Sequence, residues 1–292
     1  MNILVAVNDA YVHPLAVMLG SLLYNNSDRE IGIYLLYSNI SKENLYKLQR
    51  LADRNGAVLH KIKIDPGYFA RVPENGFSKE TYYRLFAFKF LPESVGRILF
   101  LDPDMVVRGS LGELYDMEIP DGYYFCAVAD TSKGAGEAKA NLKIPDGRTY
   151  FQSGTLLMDL NRIRKVFDEE KIFSYAEKKG FLLYYCDQDL LNVFFGENIW
   201  EIGKQYNYET RYHNFADIAG YFFKKIFSRK DKVKIVHYMG AEKPWKKGYS
   251  EKYLDDFYYY AGKAGVYRLC EYEKVNRYMY FINMVLNKTR KG

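Results

Sequence analysis

Apolar and polar positions alternate between two periods along the first hundred residues. "NILVAV" at 2–7 is a short, nearly unbroken apolar run, the pattern of a buried strand. "HPLAVMLGSLLYNN" then takes helical spacing, with Pro14 suited to a first turn. "IGIYLLY" gives a second strand, and "SKENLYKLQRLADRNG" gives a helix with Ser41 as N-cap, Asn44 three residues on and Gly56 at its end. "AVLHKIKI" alternates like a third strand. "SKETYYRLFAFKFLP" is a helix capped by Ser78 and closed before Pro92, and "RILFL" at 97–101 is a fourth strand. Such βα alternation predicts an α/β fold, a mostly parallel sheet with helices on both faces.

Beyond residue 104 the pattern loosens. "YYFCAVAD" predicts a strand, "FQSGTLLMDL" another with Gly154 inside it, "DQDLLNVFFG" a helix, and "KVKIVHYMG" a late strand ending at His237. Between them "TSKGAGEAKANLKIPDGRTY" shows little apolar periodicity and is expected to be a loop, either one that orders over bound donor or a static surface excursion. There is no internal repeat and no low-complexity linker.

Composition narrows the function classes. The 292 residues are 48% hydrophobic, enough for a full core, and no apolar run reaches the ~18 residues of a membrane span. The first residues have no basic region ahead of an apolar stretch and are expected to be a strand, not a signal peptide. Three scattered cysteines, Cys126, Cys186 and Cys270, suggest neither a disulfide framework nor a zinc cluster, and fit a reducing cytoplasm. The net charge is +6, of which +5 falls after residue 245. A nearly neutral body argues against a general nucleic-acid binder.

Chemistry gathers at strand ends, where ligands bind in open α/β sheets. Asn8, Asp9, Asp102, Asp104, Asp130 and His237 all fall at such ends. Any one of them is ordinary loop polarity; together they point to a site. Pro103 fixes its own φ and keeps Leu101–Asp102 extended, so Asp102 and Asp104 are expected to point to one side. Two carboxylates there make a hard oxygen site for Mg²⁺ or Mn²⁺. His237 adds a borderline nitrogen that favours Mn²⁺, and such an ion keeps positions open for phosphate oxygens.

Six ordered segments carry a resemblance: "AVNDAYVHPLAVMLGSLL", "TYYRLFAFKFLP", "RILFLDPDMVVRGSL", "YFQSGTLLMDL", "DQDLLN" and "HYMGAEKPW". From Met1 to about Gly248 the sequence resembles the family 8 glycosyltransferases, retaining enzymes that include bacterial lipopolysaccharide galactosyl- and glucosyltransferases. The resemblance implies a GT-A fold, with a Rossmann-like nucleotide-binding half around a central mixed sheet. It implies transfer of glucose or galactose from a UDP-hexose to a glycan or glycolipid, with Mn²⁺ held by Asp102, Asp104 and His237. It further implies that Asn8, Asp9 and Tyr11 meet uracil and ribose, with Asp102 also near the ribose. Lys243 and the backbone of Gly240 would meet the diphosphate. Arg84, Gln152, Ser153 and Gly154 would line the donor sugar, Asp187 and Gln188 would face its β side, and Asp130 would orient the acceptor hydroxyl. Two departures stand out. Many relatives have Asp-Asp-Asn-Tyr where this chain has Asn8-Asp9-Ala10-Tyr11, and relatives usually have Asn where it has Gln152.

Two other readings of the residues stay open. A strand followed by Asp-x-Asp also opens the haloacid-dehalogenase phosphatases, in which the first Asp is a nucleophile; there the pair follows the first core strand, whereas three strand–helix steps precede Asp102. A non-catalytic sugar-nucleotide binder would need the same pocket. The expected partition is a catalytic domain over 1–248 and a basic, aromatic helical region over 249–292. In the latter, Val275, Tyr278, Met279, Ile282, Val285 and Leu286 take helical spacing among Lys274, Arg277, Lys288, Arg290 and Lys291. That pattern suits a helix lying on the anionic inner face of a membrane, with packing on the catalytic domain or a dimer contact as the open alternatives.

Overall fold

A computed structural model describes residues 1–211, 216–217, 219–221, 232–246 and 248–266. The expected membrane-surface helix, Cys270 and His213 lie outside the described residues.

The predicted alternation is present in the first half. β1 (Asn2–Val7) leads through a 3₁₀ turn to α1 (Val12–Asn25), β2 (Gly32–Tyr37), α2 (Lys42–Arg54) and β3 (Val58–Lys63). Ser41 caps α2 by accepting the Asn44 N–H at 3.3 Å. Ser78 precedes a 3₁₀ turn and makes no side-chain cap; α3 proper is Tyr83–Phe90, followed by β4 (Arg97–Leu101). Then come β5 (Met105–Val107), α4 (Gly112–Asp116), β6 (Phe125–Val128), α5 (Lys133–Leu142) and β7 (Thr155–Asp159). The chain continues with α6 (Leu160–Val166), α7 (Glu169–Lys179), α8 (Asp187–Phe195), β8 (Ile199–Ile202), β9 (Tyr208–Glu209), β10 (Ile235–His237) and α9 (Leu254–Ala264).

Seven strands form one sheet in the order β3-β2-β1-β4-β7-β6-β8. The first four are parallel, but β7 runs antiparallel to both β4 and β6. The sheet is therefore mixed, as the family resemblance implied and the βα alternation alone did not. Strand alternation divides the core: Ile3, Val5 and Val7 face α1 and α2, while Leu4 and Ala6 face Phe69, Phe86 and the other aromatics on the opposite side.

A second, three-stranded sheet has the order β5-β10-β9. The chain leaves the main sheet after β4, turns at Pro103–Asp104, and enters this sheet as β5. The segment around Pro103 is thus a turn between sheets, not the straight extended run that the sequence suggested.

The expected loop at 131–150 contains a helix, α5. Its signal was hidden because alanines supply most of its apolar face: Ala135, Ala138 and Leu142 are buried at helical spacing. Ser132 caps it through the Ala135 N–H at 3.2 Å, and Lys143 closes it in the left-handed region at φ 57°.

At the C-terminal side, α9 packs closely on α1. A Cβ at Gly20 would lie 2.7 Å from the Ala264 Cβ, so only glycine permits this approach. Asn25 Nδ2 donates to the Tyr260 hydroxyl at 2.8 Å, and Arg108 pairs with Asp256 at 2.7 Å. Residues 249–264 accordingly share a core with the sheet, through Tyr249, Tyr253 and Phe257 against Val17, Val106 and Val236. Among the described residues no helix is long and apolar enough to cross a membrane.

Candidate active site

The change of sheet builds the site. Asp102 closes β4, its N–H still bonded to the Gly154 carbonyl at 2.9 Å, and Asp104 opens the path to β5. β10 runs antiparallel to β5 with His237 opposite Met105, and the Tyr238 N–H reaches the Asp104 carbonyl at 3.0 Å. Both carboxylates thereby meet one imidazole. His237 Nε2 lies 3.2 Å from Asp104 Oδ1 and 3.7 Å from Asp102 Oδ2, and one ligating atom from each residue lies within 4.8 Å of the others.

The donor set suits a divalent cation on its own chemistry. His237 Nδ1 is 2.8 Å from Asn207 Oδ1, which can only accept. Asn207 thus holds the Nδ1 side of the ring, and Nε2 is the nitrogen that faces the two carboxylates. Two carboxylate oxygens and an imidazole nitrogen that converge within 4.8 Å match the ligand set of a divalent cation. Gly154 makes room for the arrangement: a Cβ there would lie 2.6 Å from His237 Cε1 and 2.8 Å from Asp102 Oδ2.

Arg84 ties this cluster to a second one. Its Nη2 pairs with Asp102 Oδ1 at 2.9 Å, its Nε lies 3.1 Å from Asp187 Oδ2, and its Nη1 donates to the Ser153 carbonyl at 2.9 Å. The guanidinium lies 4.3 Å over the Phe100 ring. Beyond it, the Ser153 N–H donates to Gln188 Oε1 at 3.1 Å, and Gln188 Nε2 donates to Asp130 Oδ2 at 3.1 Å. Asp130 also accepts the Ser132 N–H at 3.0 Å. Asp187 and Gln188 begin α8, whose first turn is fixed by Asp189 accepting the Tyr185 N–H at 2.7 Å and the Tyr150 hydroxyl.

Burial and neighbouring charge set the acidities. Burial pushes the Asp187 carboxyl up to about 7, more than Arg84 pulls it down. It also raises Asp102, against the opposing pull of Arg84 and His237. For Asp104 the balance reverses: burial would raise it, but His237 and Lys243 together hold it well below the usual carboxylate range.

The structure brings Asp102, Asp104, His237, Lys243, Arg84, Ser153, Gly154, Asp187, Gln188 and Asp130 into one connected set. Gln152 is buried beside them; its Nε2 reaches only the Met239 sulfur at 3.8 Å, and its Oε1 has no partner. Gly240 adopts φ 86°, a left-handed conformation that favours glycine. The N-terminal group lies at the rim. Tyr11 is 36% exposed and edge-on to Trp245 at 6.0 Å. Asn8 accepts the Ala10 N–H at 3.2 Å. Asp9 is already engaged, accepting the Ser41 N–H at 2.8 Å and the Asn44 amide at 2.9 Å. Sequence reasoning missed Asn207, which orients His237, and Asp189 with Tyr150, which hold the start of α8. Asn207 lies in "QYNYET", where no spacing marks it; the second Asp of "DQD" was the available hint for Asp189.

The model of glycosyl transferase family 8 matches residues 2–248. The chain belongs to this family. General stress protein A of Bacillus subtilis strain 168 is 26% identical over 270 residues, spanning 89% of this chain and 92% of that protein. Lipopolysaccharide 1,2-glucosyltransferase of Escherichia coli K12 is 27% identical over 251 residues, 85% of this chain and 73% of that one. Among solved structures, galactosyltransferase LgtC in complex with donor and acceptor sugar analogs is similar with a TM-score of 0.75 and 25% identity, covering 96% of this chain and all of that one. The mixed sheet with flanking helices is that of a GT-A glycosyltransferase. Family membership leaves the phosphatase reading without support.

Proposed function

We propose that this family 8 member transfers a hexose, glucose or galactose, from a UDP-hexose to a hydroxyl of a glycan or glycolipid, with retention at the anomeric carbon and with Mn²⁺, or less favourably Mg²⁺, at Asp102, Asp104 and His237. The observation that carries this reading is the convergence of those three residues at the sheet switch, joined through Arg84 to Asp187 and Gln188. A divalent cation bound there would act as a Lewis acid toward the diphosphate and offset the charge of departing UDP.

The remaining roles belong to the chain. Asn8, Asp9 and Tyr11 border the uridine, and Lys243 with the Gly240 backbone receives the diphosphate. Arg84, Gln152, Ser153 and Gly154 line the hexose. Gln188 is a neutral amide and a weak nucleophile, so attack comes from the face that UDP leaves. The amide oxygen of Gln188, held in place by the Ser153 N–H, stabilises positive charge at the anomeric carbon. Asp130, gripped by Gln188 Nε2 and the Ser132 N–H, orients the acceptor hydroxyl. Residues 1–248 carry catalysis. The basic tail beyond α9 attaches to an anionic membrane at the cytoplasmic face, and this is read from its sequence pattern.

NMR of the product tests the reaction: an α-linkage is expected from an α-linked UDP-hexose, and a β-linkage would remove retention. UDP-hexose binding without UDP release, over a panel of acceptors, would favour a non-catalytic binder. For the tail, sedimentation with anionic vesicles that is lost on truncation after Arg268 is the expected result; equal sedimentation of both chains would contradict membrane attachment.

A further inference from the structure

Each aspartate of the metal-site candidate spends one oxygen on a resident cation. Asp102 gives Oδ1 to Arg84 at 2.9 Å and turns Oδ2 toward His237. Asp104 turns Oδ1 toward His237 and gives Oδ2 to the Lys243 ammonium at 2.5 Å. The two cations are held very differently. Arg84 is 6% exposed, lies against Phe100, and distributes its donors over Asp102, Asp187, Ser153 and Thr81. It is part of the core. Lys243 is as buried, at 7% exposed, but makes only two hydrogen bonds, to Asp104 and to the Tyr238 carbonyl at 2.7 Å, with the Trp245 ring 5.8 Å away, and it sits on a flexible stem three residues after Gly240 with its left-handed φ.

A divalent cation at the triad would share the Asp104 carboxylate with this ammonium, and two cations on one carboxylate repel. Arg84 cannot yield. Lys243 can, provided another anion receives it, because a buried ammonium left unpaired is costly. We propose that Lys243 is a stand-in counterion: it neutralises Asp104 while the site lacks a metal, and leaves when a nucleoside diphosphate offers its phosphates. Metal and diphosphate then bind cooperatively, since each removes the obstacle to the other. This inference rests on the metal reading of Asp102, Asp104 and His237. It adds that Lys243 weakens metal binding until the nucleotide arrives.

The test is Mn²⁺ binding itself, followed by calorimetry and by the electron paramagnetic resonance signal of free Mn²⁺, with no turnover involved. In the wild-type chain, UDP is expected to tighten Mn²⁺ binding by a factor in the range of about 5 to 150, the usual span of coupling between sites, and uridine is not. Lys243→Met is expected to bind Mn²⁺ more tightly than wild type when UDP is absent, and to gain less from UDP. Lys243→Gln, neutral but polar, should behave as Lys243→Met does and guards against a folding defect in the latter. Lys243→Arg retains the charge and should remain weak for Mn²⁺ alone. The proposal is overturned if the neutral variants bind Mn²⁺ alone no more tightly than wild type, if UDP tightens binding by the same factor in all chains, or if the Arg variant binds as tightly as the neutral ones. Wild-type chain that binds no Mn²⁺ even with UDP would overturn the metal reading as well, which separates the two failures.

Discussion

Two acidic clusters lie on either side of Arg84, and they survive burial by opposite means. At Asp102 and Asp104 the carboxylates stay beside the positive charges of Arg84 and Lys243, with the His237 ring on the third side. At Asp130, Asp187 and Asp189 the partners are mostly neutral: the Gln188 amide, backbone N–H groups and the Tyr150 hydroxyl. The acidities follow. Asp104 is held low because His237 and Lys243 outweigh its burial, whereas Asp187 rises to about 7 because burial outweighs Arg84. The first cluster sets its carboxylates against cations, and the second sets its carboxylates mostly against uncharged polar groups. That difference suits one cluster to a metal and diphosphate and the other to a sugar.

The contrast is open to attack by substitution. The largest effect is expected at the first cluster: Asp104→Ala or His237→Ala should lower UDP-hexose turnover about a hundredfold or more while far-UV circular dichroism stays unchanged. Near-wild-type turnover would deny that cluster its role. Next, Gly154→Ala forces His237 or Asp102 to move, since a Cβ would stand 2.6 Å from one and 2.8 Å from the other. Mn²⁺ affinity in the presence of UDP should fall by about tenfold or more.

The second cluster should respond in stability, with a defined sign. Asp187 keeps its proton to about pH 7 in the fold, but an unfolded chain releases it in the ordinary carboxylate range. Its contribution to stability is therefore complete at acid pH and is lost as pH rises through about 7. Asp187→Asn removes that loss, so its unfolding free energy should exceed that of wild type at pH 8, by up to about 4 kcal/mol, and approach it near pH 4. Asp104 carries the opposite sign: its contribution is present above the ordinary carboxylate range and lost as pH falls through its lowered value. A variant that gained stability at acid pH instead would erase the distinction between the clusters. The smallest effect is expected from Gln152→Asn, which shortens a buried side chain whose Oε1 is unpartnered. The ratio of kcat/KM for UDP-glucose and UDP-galactose should shift by less than about tenfold, and an unchanged ratio would remove Gln152 from donor selection.

Residues differ in how far their sequence context reveals them. β1, β2 and β4 were legible because buried parallel strands are unbroken apolar runs between helices of a different period, and β3, at the sheet edge, by its alternation. α5 was not, since alanine and glycine carry little apolar signal even where Ala135 and Ala138 are buried. Asp102 and Asp104 were legible as a pair from Pro103 between them, and His237 from the end of its strand. Why they meet was not legible: it depends on the chain leaving one sheet for another at the turn. The partners that tune the site are more remote still. Asn207 lies 30 positions from His237 and Lys243 139 from Asp104, and side chains meeting across such separations leave no local pattern.

The most direct measurement is UDP release from UDP-glucose and UDP-galactose by the full chain, with Mn²⁺, with Mg²⁺ and with chelator, over a panel of glycan and glycolipid acceptors. The expected result is acceptor-dependent release of UDP from at least one of the two donors, fastest with Mn²⁺ and abolished by chelator. Release at an equal rate in chelator, or none with either donor under any metal, would contradict the account.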